Sequence, residues 1–73
     1  MPRVLKLREF IRRMMSLGVQ VKRGKGSEKK LLRPGRHLYT VKAHGDGQDV
    51  FPHVVESACR RLGIDEEEFW RDV

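Results

Sequence analysis

The chain has 73 residues, 38% of them hydrophobic, and its sixteen Lys and Arg outnumber ten Asp and Glu for a net charge of +6. This length predicts one small domain, whose core contributes only roughly 3–5 kcal/mol. A single cysteine excludes an internal disulfide, no Cys or His cluster has metal-ligand spacing, and no apolar run suits a membrane span or signal peptide. We therefore expect a cytoplasmic protein with no membrane partner, no metal and no cofactor.

The charge is unevenly distributed along the chain. Residues 1–44 contain thirteen bases and two acids, whereas residues 45–73 contain three bases and eight acids. The two parts carry +11 and −5, and such polarity favours a polyanionic partner that contacts the N-terminal part. The acidic C-terminal part is expected to stay away from the polyanion or to meet a protein.

An amphipathic helix is predicted over Val4–Leu17. Apolar residues recur there at helical spacing: Leu7, Phe10, Ile11, Met14 and Leu17. Gly18 follows the last of them and is expected to end the helix. The alternation of apolar and polar residues in Val19–Arg23 then predicts a short strand.

A basic segment with two glycines follows this strand, and it reads Lys-Arg-Gly-Lys-Gly-Ser-Glu-Lys-Lys over residues 22–30. Its glycines allow the backbone to approach a flat or anionic partner, and its hydroxyl and ammonium groups are good phosphate ligands. The same composition is also typical of a flexible, solvated turn, so two interpretations stand side by side.

A β-hairpin is predicted over Glu28–His44. Its strands are Glu28–Arg33 and His37–His44, and Pro34-Gly35 between them suits a type II turn. Alternate side chains of the second strand point to opposite faces of the sheet. One set is apolar and should face the helices, and the other set should lie on the open face. The apolar set is Tyr39, Val41 and Ala43, and the second set is Leu38, Thr40, Lys42 and His44.

The C-terminal part is predicted to be helical after a polar loop at residues 45–49. A second helix begins near Pro52 and ends at Gly63. Its apolar stripe consists of Val55, Ala58, Cys59 and Leu62. A terminal turn over Glu66–Arg71 then brings two large aromatic residues, Phe69 and Trp70, to the core. Asp65 with Glu68 resembles a capping box at its start.

These elements predict the α+β fold class. The order α-β-β-β-α gives a two-layer sandwich, in which a three-stranded antiparallel sheet carries two helices on one face. The other face of the sheet stays open, and the basic residues are expected to collect there.

Three histidines and one acid are candidates for chemistry. His37 follows the predicted hairpin turn and is interpreted as a solvated surface residue. His53 is interpreted in the same way, because a positive imidazole is poorly placed in the first turn of a helix. His44 stands at a strand end beside a glycine-containing loop. Glu28 is the one acid among the bases of residues 22–36, and it is either an ion-pair partner or a general base.

Three short motifs occur in a characteristic order along the chain. They are Gly26-Ser27 before the hairpin, Tyr39–His44, and Leu62-Gly63-Ile64 leading to Glu67-Glu68-Phe69. In this order they resemble the HicA toxins, small ribonucleases of bacterial and archaeal type II toxin–antitoxin pairs with a double-stranded-RNA-binding-domain-like fold. The resemblance covers nearly all of Leu5–Trp70.

The resemblance implies an endoribonuclease that cleaves mRNA without a metal and pairs with a HicB-like antitoxin. Family members usually carry the catalytic histidine directly after Gly-Ser, where this chain has Glu28. The second family histidine corresponds to His44, and the proline usually found two residues before it is Lys42. The candidate catalytic residues are thus Glu28 and His44. The candidate RNA-binding residues are Lys22, Arg23, Lys25, Gly26, Ser27, Lys29, Lys30, Arg33 and Lys42.

The sequence is also compatible with two other functions. A non-catalytic module could recognise structured RNA by shape, through contacts to phosphates and 2′-hydroxyls. DNA binding ranks last, because the predicted second helix carries acids and few side chains suited to reading a groove.

Overall fold

The computed structural model describes residues 2–45 and 47–71. Its elements are, in chain order, β1 (Leu5–Lys6), α1 (Leu7–Ser16), β2 (Gln20–Arg23), β3 (Glu28–Leu32), β4 (Tyr39–Lys42), β5 (Asp49–Val50), α2 (Pro52–Leu62) and α3 (Glu66–Trp70). A three-stranded antiparallel sheet has the order β2-β3-β4, and β1 pairs with β5 in a second, two-stranded sheet. The predicted α+β class is confirmed. None of the helices in the described residues is long and apolar enough to cross a membrane.

The N-terminus differs from the prediction because β1 occupies the expected first turn of the helix. Leu5 pairs with Val50, Lys6 pairs with Asp49, and the Leu7 N–H donates to the Gln48 carbonyl at 2.7 Å. The prediction of a helix from Val4 is therefore wrong. These partners lie far apart in the sequence, so helical spacing near the N-terminus could not reveal the pairing.

The C-terminus of α1 forms at the predicted glycine. Gly18 has a φ of 86°, and its N–H donates to the Met15 carbonyl at 3.1 Å. The Val19 N–H donates to the Met14 carbonyl, also at 3.1 Å. These two bonds are the Schellman pattern, which requires a residue in the left-handed conformation and therefore favours glycine. Val19 itself is buried just before β2 begins.

The hairpin is confirmed with shorter strands than predicted. Gly35 has a φ of 76°, and the Arg36 N–H donates to the Arg33 carbonyl at 3.0 Å, as in a type II turn. β3 ends at Leu32, before the predicted Arg33. β4 is also shorter than the predicted His37–His44 at both ends, because His37, Leu38, Ala43 and His44 lie outside it. The Leu38 carbonyl instead accepts a hydrogen bond from Arg61 Nε at 3.0 Å.

The predicted division into two faces is confirmed for residues 39–43, whereas Leu38 and His44 lie outside the strand. Val41 is buried, and Tyr39 and Ala43 pack against the core. Burial raises the pKa of the Tyr39 hydroxyl above its ordinary value. Thr40 and Lys42 alternate with these residues and are exposed. The core therefore lies between the helices and one face of the larger sheet, and the opposite face stays open.

Helix α2 has the predicted bounds and the predicted buried stripe. It ends at Gly63, whose φ is 69°. A Cβ at this position would lie 2.5 Å from Arg36 Nε, so the exposed Arg36 side chain would have to move aside. Cys59 is buried in the stripe, and this burial, together with Glu66 and Asp65, raises the pKa of its thiol to about 12. The thiol is thus an inert part of the core.

The terminal helix α3 closes the core as predicted. Phe69 is 1% exposed and Trp70 is 8% exposed, with ring centroids 5.0 Å apart, and the Phe69 ring also lies 5.9 Å from that of Phe10. Asp65 caps the helix by accepting a hydrogen bond from the Glu67 N–H at 3.0 Å. This donor is one residue earlier than the capping box would use. Asp46 of the predicted polar loop lies outside the described residues.

Candidate nucleic-acid interface

Each strand of the larger sheet contributes a lysine to the open face. Lys22 of β2 is the cross-strand partner of Lys30 of β3, and Lys42 of β4 is the partner of Glu28. The residues of opposite parity, which include Val21, Leu31 and Val41, pack into the core. All three lysines are exposed on the face that no helix covers.

The Lys22–Lys30 pair places two like charges directly opposite each other. Such a cross-strand pair is unfavourable in the free protein. A phosphate that binds between the two ammonium groups removes this repulsion. The pair therefore makes the open face better suited to an anion than isolated surface lysines would be.

Glu28 is the acid on this open face, and it is partly buried. The ion pairs of residues 2–45 and 47–71 join other carboxylates to cations: Arg3 and Arg13 to Glu9, Lys6 to Asp49, and Arg60 to Glu56. Within these residues no Lys or Arg nitrogen lies within 4.0 Å of the Glu28 carboxylate. An ion pair of Glu28, one of its two interpretations from the sequence, is therefore not observed among the described residues.

The β2–β3 connection is a tight, hydrogen-bonded loop rather than a loose turn. The Gly24 N–H donates to the Glu28 carbonyl at 2.8 Å, and the Glu28 N–H donates to the Lys25 carbonyl at 3.1 Å. Gly26 adopts a φ of 62° at the tip. A Cβ at Gly24 would lie 3.1 Å from the Glu28 Cβ, so the absence of a side chain there lets the loop fold close onto Glu28.

The tip of this loop offers donors to a ligand. Lys25, Gly26 and Ser27 are exposed. For the N–H groups of Gly26 and Ser27, the described part of the chain provides no acceptor. Consecutive backbone N–H groups in a turn form a concave surface that can bind an anion. The Lys25 ammonium and the Ser27 hydroxyl can add to such a contact.

His44 follows β4 and is held in place by Gln48. The His44 N–H donates to Gln48 Oε1 at 2.6 Å, and Gln48 Nε2 donates to the Lys42 carbonyl at 2.8 Å. The Ala43 N–H donates to the Ser27 carbonyl at 2.7 Å, so the strand pairing continues one residue beyond Lys42. The sequence did not single out Gln48, because a side-chain clamp across a loop has no periodicity.

The strand pairing brings the two candidate catalytic residues to the same end of the sheet. Glu28 lies opposite Lys42, and the Ala43 N–H bond to the Ser27 carbonyl continues the pairing one residue further, so His44 follows at the same end of the sheet as Glu28. The two candidate catalytic residues and Lys42 are therefore gathered at one end of the sheet.

Three of the predicted RNA-binding residues are not part of this cluster. Arg23 and Lys29 are partners of each other and have the parity of the core-facing residues. Arg33 lies at the other end of β3, and its Nη1 donates to the Leu62 carbonyl at 3.1 Å and the Gly63 carbonyl at 2.8 Å. Arg33 thus caps the C-terminus of α2.

The remaining candidates form one continuous surface, which we call the lysine face. It consists of Lys22, Lys25, Gly26, Ser27, Glu28, Lys30, Lys42 and His44. Residues 2–45 and 47–71 contain no group of three or more His, Cys, Asp or Glu side chains that could hold a metal ion. A scan against protein-family models finds no match to this chain, and a search of the curated proteins finds none either.

Proposed function

We propose that this protein binds structured RNA through the lysine face and acts as a HicA-like toxin. The observation that carries the proposal is the placement of Lys22, Lys30 and Lys42, one on each strand, on the open face of the sheet. Lys22 is in register with Thr40, two residues from Lys42. With strands about 4.8 Å apart and a rise of about 3.4 Å per residue, the lysines on the two outer strands begin roughly 12 Å apart. One phosphate cannot neutralise all three lysines, whereas a polyanion can.

RNA is favoured over other polyanions by the form of the surface. An exposed basic sheet face with a hydrogen-bonded loop at one end can contact phosphates and 2′-hydroxyls, and proteins recognise structured RNA by shape through such contacts. The acidic residues of α3, Glu66–Glu68, are exposed and belong to the opposite layer. They therefore do not oppose the approach of RNA to the open sheet.

The proposed reaction is metal-independent cleavage of mRNA. Glu28 takes the proton from a 2′-hydroxyl, which then attacks the adjacent phosphorus, and His44 donates a proton to the departing 5′-oxygen. Lys42 and Lys30 stabilise the negative charge that develops on the phosphate oxygens. The resemblance to HicA toxins supports this reaction, and it also supports a HicB-like antitoxin as the partner protein.

A non-catalytic RNA-binding module is the second candidate. The observation that favours it is Glu28 itself, which stands where the family usually has its catalytic histidine. RNA binding is common to both candidates, so binding is the first property to test.

The test is the salt dependence of binding to a labelled RNA hairpin. If about six phosphates are neutralised, log affinity falls against log salt with a slope of roughly −4 to −5. Changing Lys22, Lys30 and Lys42 together to alanine should make the slope shallower by about 2–3 and weaken binding at every salt concentration. The fold should persist, because all three side chains are exposed.

A matched control removes the same charge from the helical layer. Arg8, Arg12 and Arg60 are exposed on α1 and α2, and their triple alanine variant has the same net charge as the lysine variant. It loses the exposed Arg60–Glu56 pair, which contributes at most about 1 kcal/mol. We expect it to keep the parental slope. Equal slopes for the parent and the lysine variant would refute the proposal.

A further inference from the structure

Phe51 is exposed although the other large aromatic residues of this small domain are used in the core. Its side chain is 48% exposed, whereas Phe10, Phe69 and Trp70 are buried. The Phe51 ring is nearly parallel to the His53 imidazole, with an interplanar angle of 8° and centroids 6.1 Å apart. His53 is also exposed. The two rings thus present parallel aromatic faces at the surface.

These rings lie at the end of the molecule that carries the loop and His44. The C-terminus of α2 is fixed at the opposite end, where Arg33 donates to the Leu62 and Gly63 carbonyls. Helix α2 therefore begins at the end where β4 finishes. Phe51 precedes the helix and follows Gln48 by three residues, and Gln48 is bonded to both Lys42 and His44.

The electrostatic surroundings of the two rings do not repel a nucleic acid. The nearest carboxylates in sequence, Asp49 and Glu56, are each paired with a cation. Lys6 Nζ lies 2.8 Å from the Asp49 carboxylate, and Arg60 Nη2 lies 2.9 Å from that of Glu56. The first turn of α2 carries no acidic residue. Aromatic rings in such a setting stack on nucleobases of any sequence.

We propose that Phe51 and His53 form a stacking platform for an unpaired base next to the structured RNA. This inference rests on the proposed RNA-binding function and specifies its ligand further. The preferred RNA combines a paired region, whose phosphates lie on the lysine face, with a single-stranded extension. A base of that extension stacks on the Phe51 ring, and His53 supports the ring from its side.

Three labelled RNAs test the platform by fluorescence anisotropy: a blunt duplex, the same duplex with a short single-stranded extension, and the same duplex with an extension of abasic nucleotides. The two extended RNAs carry equal charge and differ in their bases. The parent should bind the extension with bases more tightly than the abasic one. Phe51→Ala should weaken binding of the former by about 5- to 150-fold and leave the blunt and abasic RNAs unchanged.

Two variants separate stacking from structural effects. Phe51→Tyr retains an aromatic ring and should keep the preference for bases. Met15→Ala removes an apolar residue that is 58% exposed on α1 and should bind all three RNAs like the parent. The salt slope should be the same in Phe51→Ala and the parent, since no charge is removed.

The platform is overturned if the parent binds both extended RNAs equally, or if Phe51→Ala retains the preference for bases. It is also overturned if Phe51→Ala weakens all three RNAs by the same factor. A parent protein that binds none of the RNAs overturns both the platform and the proposed function. A parent that binds the blunt duplex without any preference for bases overturns the platform alone.

Discussion

Replacing Glu28 with glutamine separates an RNA-cleaving enzyme from an RNA-binding module. The change keeps the shape of the side chain and removes one negative charge from the lysine face. Within the described residues Glu28 forms no ion pair, so no pair is broken. Stability should change by no more than about 0.5 kcal/mol, the usual range for a surface substitution.

The effect on binding follows from Coulomb's law. A phosphate that is held by Lys30 or Lys42 would lie roughly 7 Å from the Glu28 carboxylate, a distance typical of neighbours on one sheet face. Two charges at this distance interact by about 0.6 kcal/mol in bulk water, and salt screens the interaction further. Glu28→Gln should therefore bind RNA equally well, or up to about three-fold more tightly.

The effect on cleavage should be much larger and of the opposite sign. Loss of a general base lowers a rate by about 10²–10⁴-fold. We expect this loss in single-turnover cleavage of labelled RNA with the enzyme in excess, while binding to the same RNA is measured in parallel. His44→Gln should show the same separation of cleavage from binding. Glu28→His restores the residue usual in HicA toxins and should cleave at least as fast as the parent.

Growth of cells that express the parent, Glu28→Gln and Glu28→His gives an independent readout. The parent and Glu28→His should arrest growth, and Glu28→Gln should not. If all three forms arrest growth equally, or none does, Glu28 has no catalytic role. A purified parent that binds structured RNA but never shortens it would remove the enzyme hypothesis and leave the binding module.

Two further predictions concern the fold. Deletion of residues 66–73 should unfold the domain. Phe69 and Trp70 are each expected to contribute about 3–5 kcal/mol, which is as much as a core of this size supplies. An unchanged melting temperature by circular dichroism would contradict this prediction. Arg33→Ala should destabilise the domain by about 1.5–3 kcal/mol in urea unfolding through loss of its charge-assisted bonds to the end of α2. It should retain the parental salt slope for RNA, whereas a shallower slope would mean that Arg33 contacts phosphate.

The elements that the sequence predicted well are those with local causes. Helix α2 begins at a proline and ends at Gly63, and its apolar stripe has helical spacing. The faces of β4 follow from strict alternation around Val41. The missed sheet of β1 and β5 has no such local cause. Each of its strands has two residues, and Leu5 is specified as a strand only by its pairing with Val50.

The candidate site was predictable only in part, because it depends on register. Parity alone could place Lys42 on the open face. The pairing of Lys22 with Lys30, and of Glu28 with Lys42, depends on the lengths of two loops that composition does not reveal. Arg33 illustrates the opposite case. In the sequence Arg33 follows closely after the basic segment of residues 22–30 and was therefore grouped with it. In the structure α2 ends beside Arg33, and the carbonyls at the end of a helix attract a cation.

The position of Glu28 poses a question that the lysine face alone does not answer. An acid on a phosphate-binding surface lowers affinity for RNA, and in the described part of the chain this acid stabilises nothing through an ion pair. The chain nevertheless brings it close to the loop by using Gly24, where any side chain would press on Glu28. In the proposed reaction the role of this carboxylate is proton transfer, not attraction to the ligand. The proton would come from a 2′-hydroxyl of the proposed RNA substrate, and for this reason Glu28→Gln is the substitution that separates the two candidate functions.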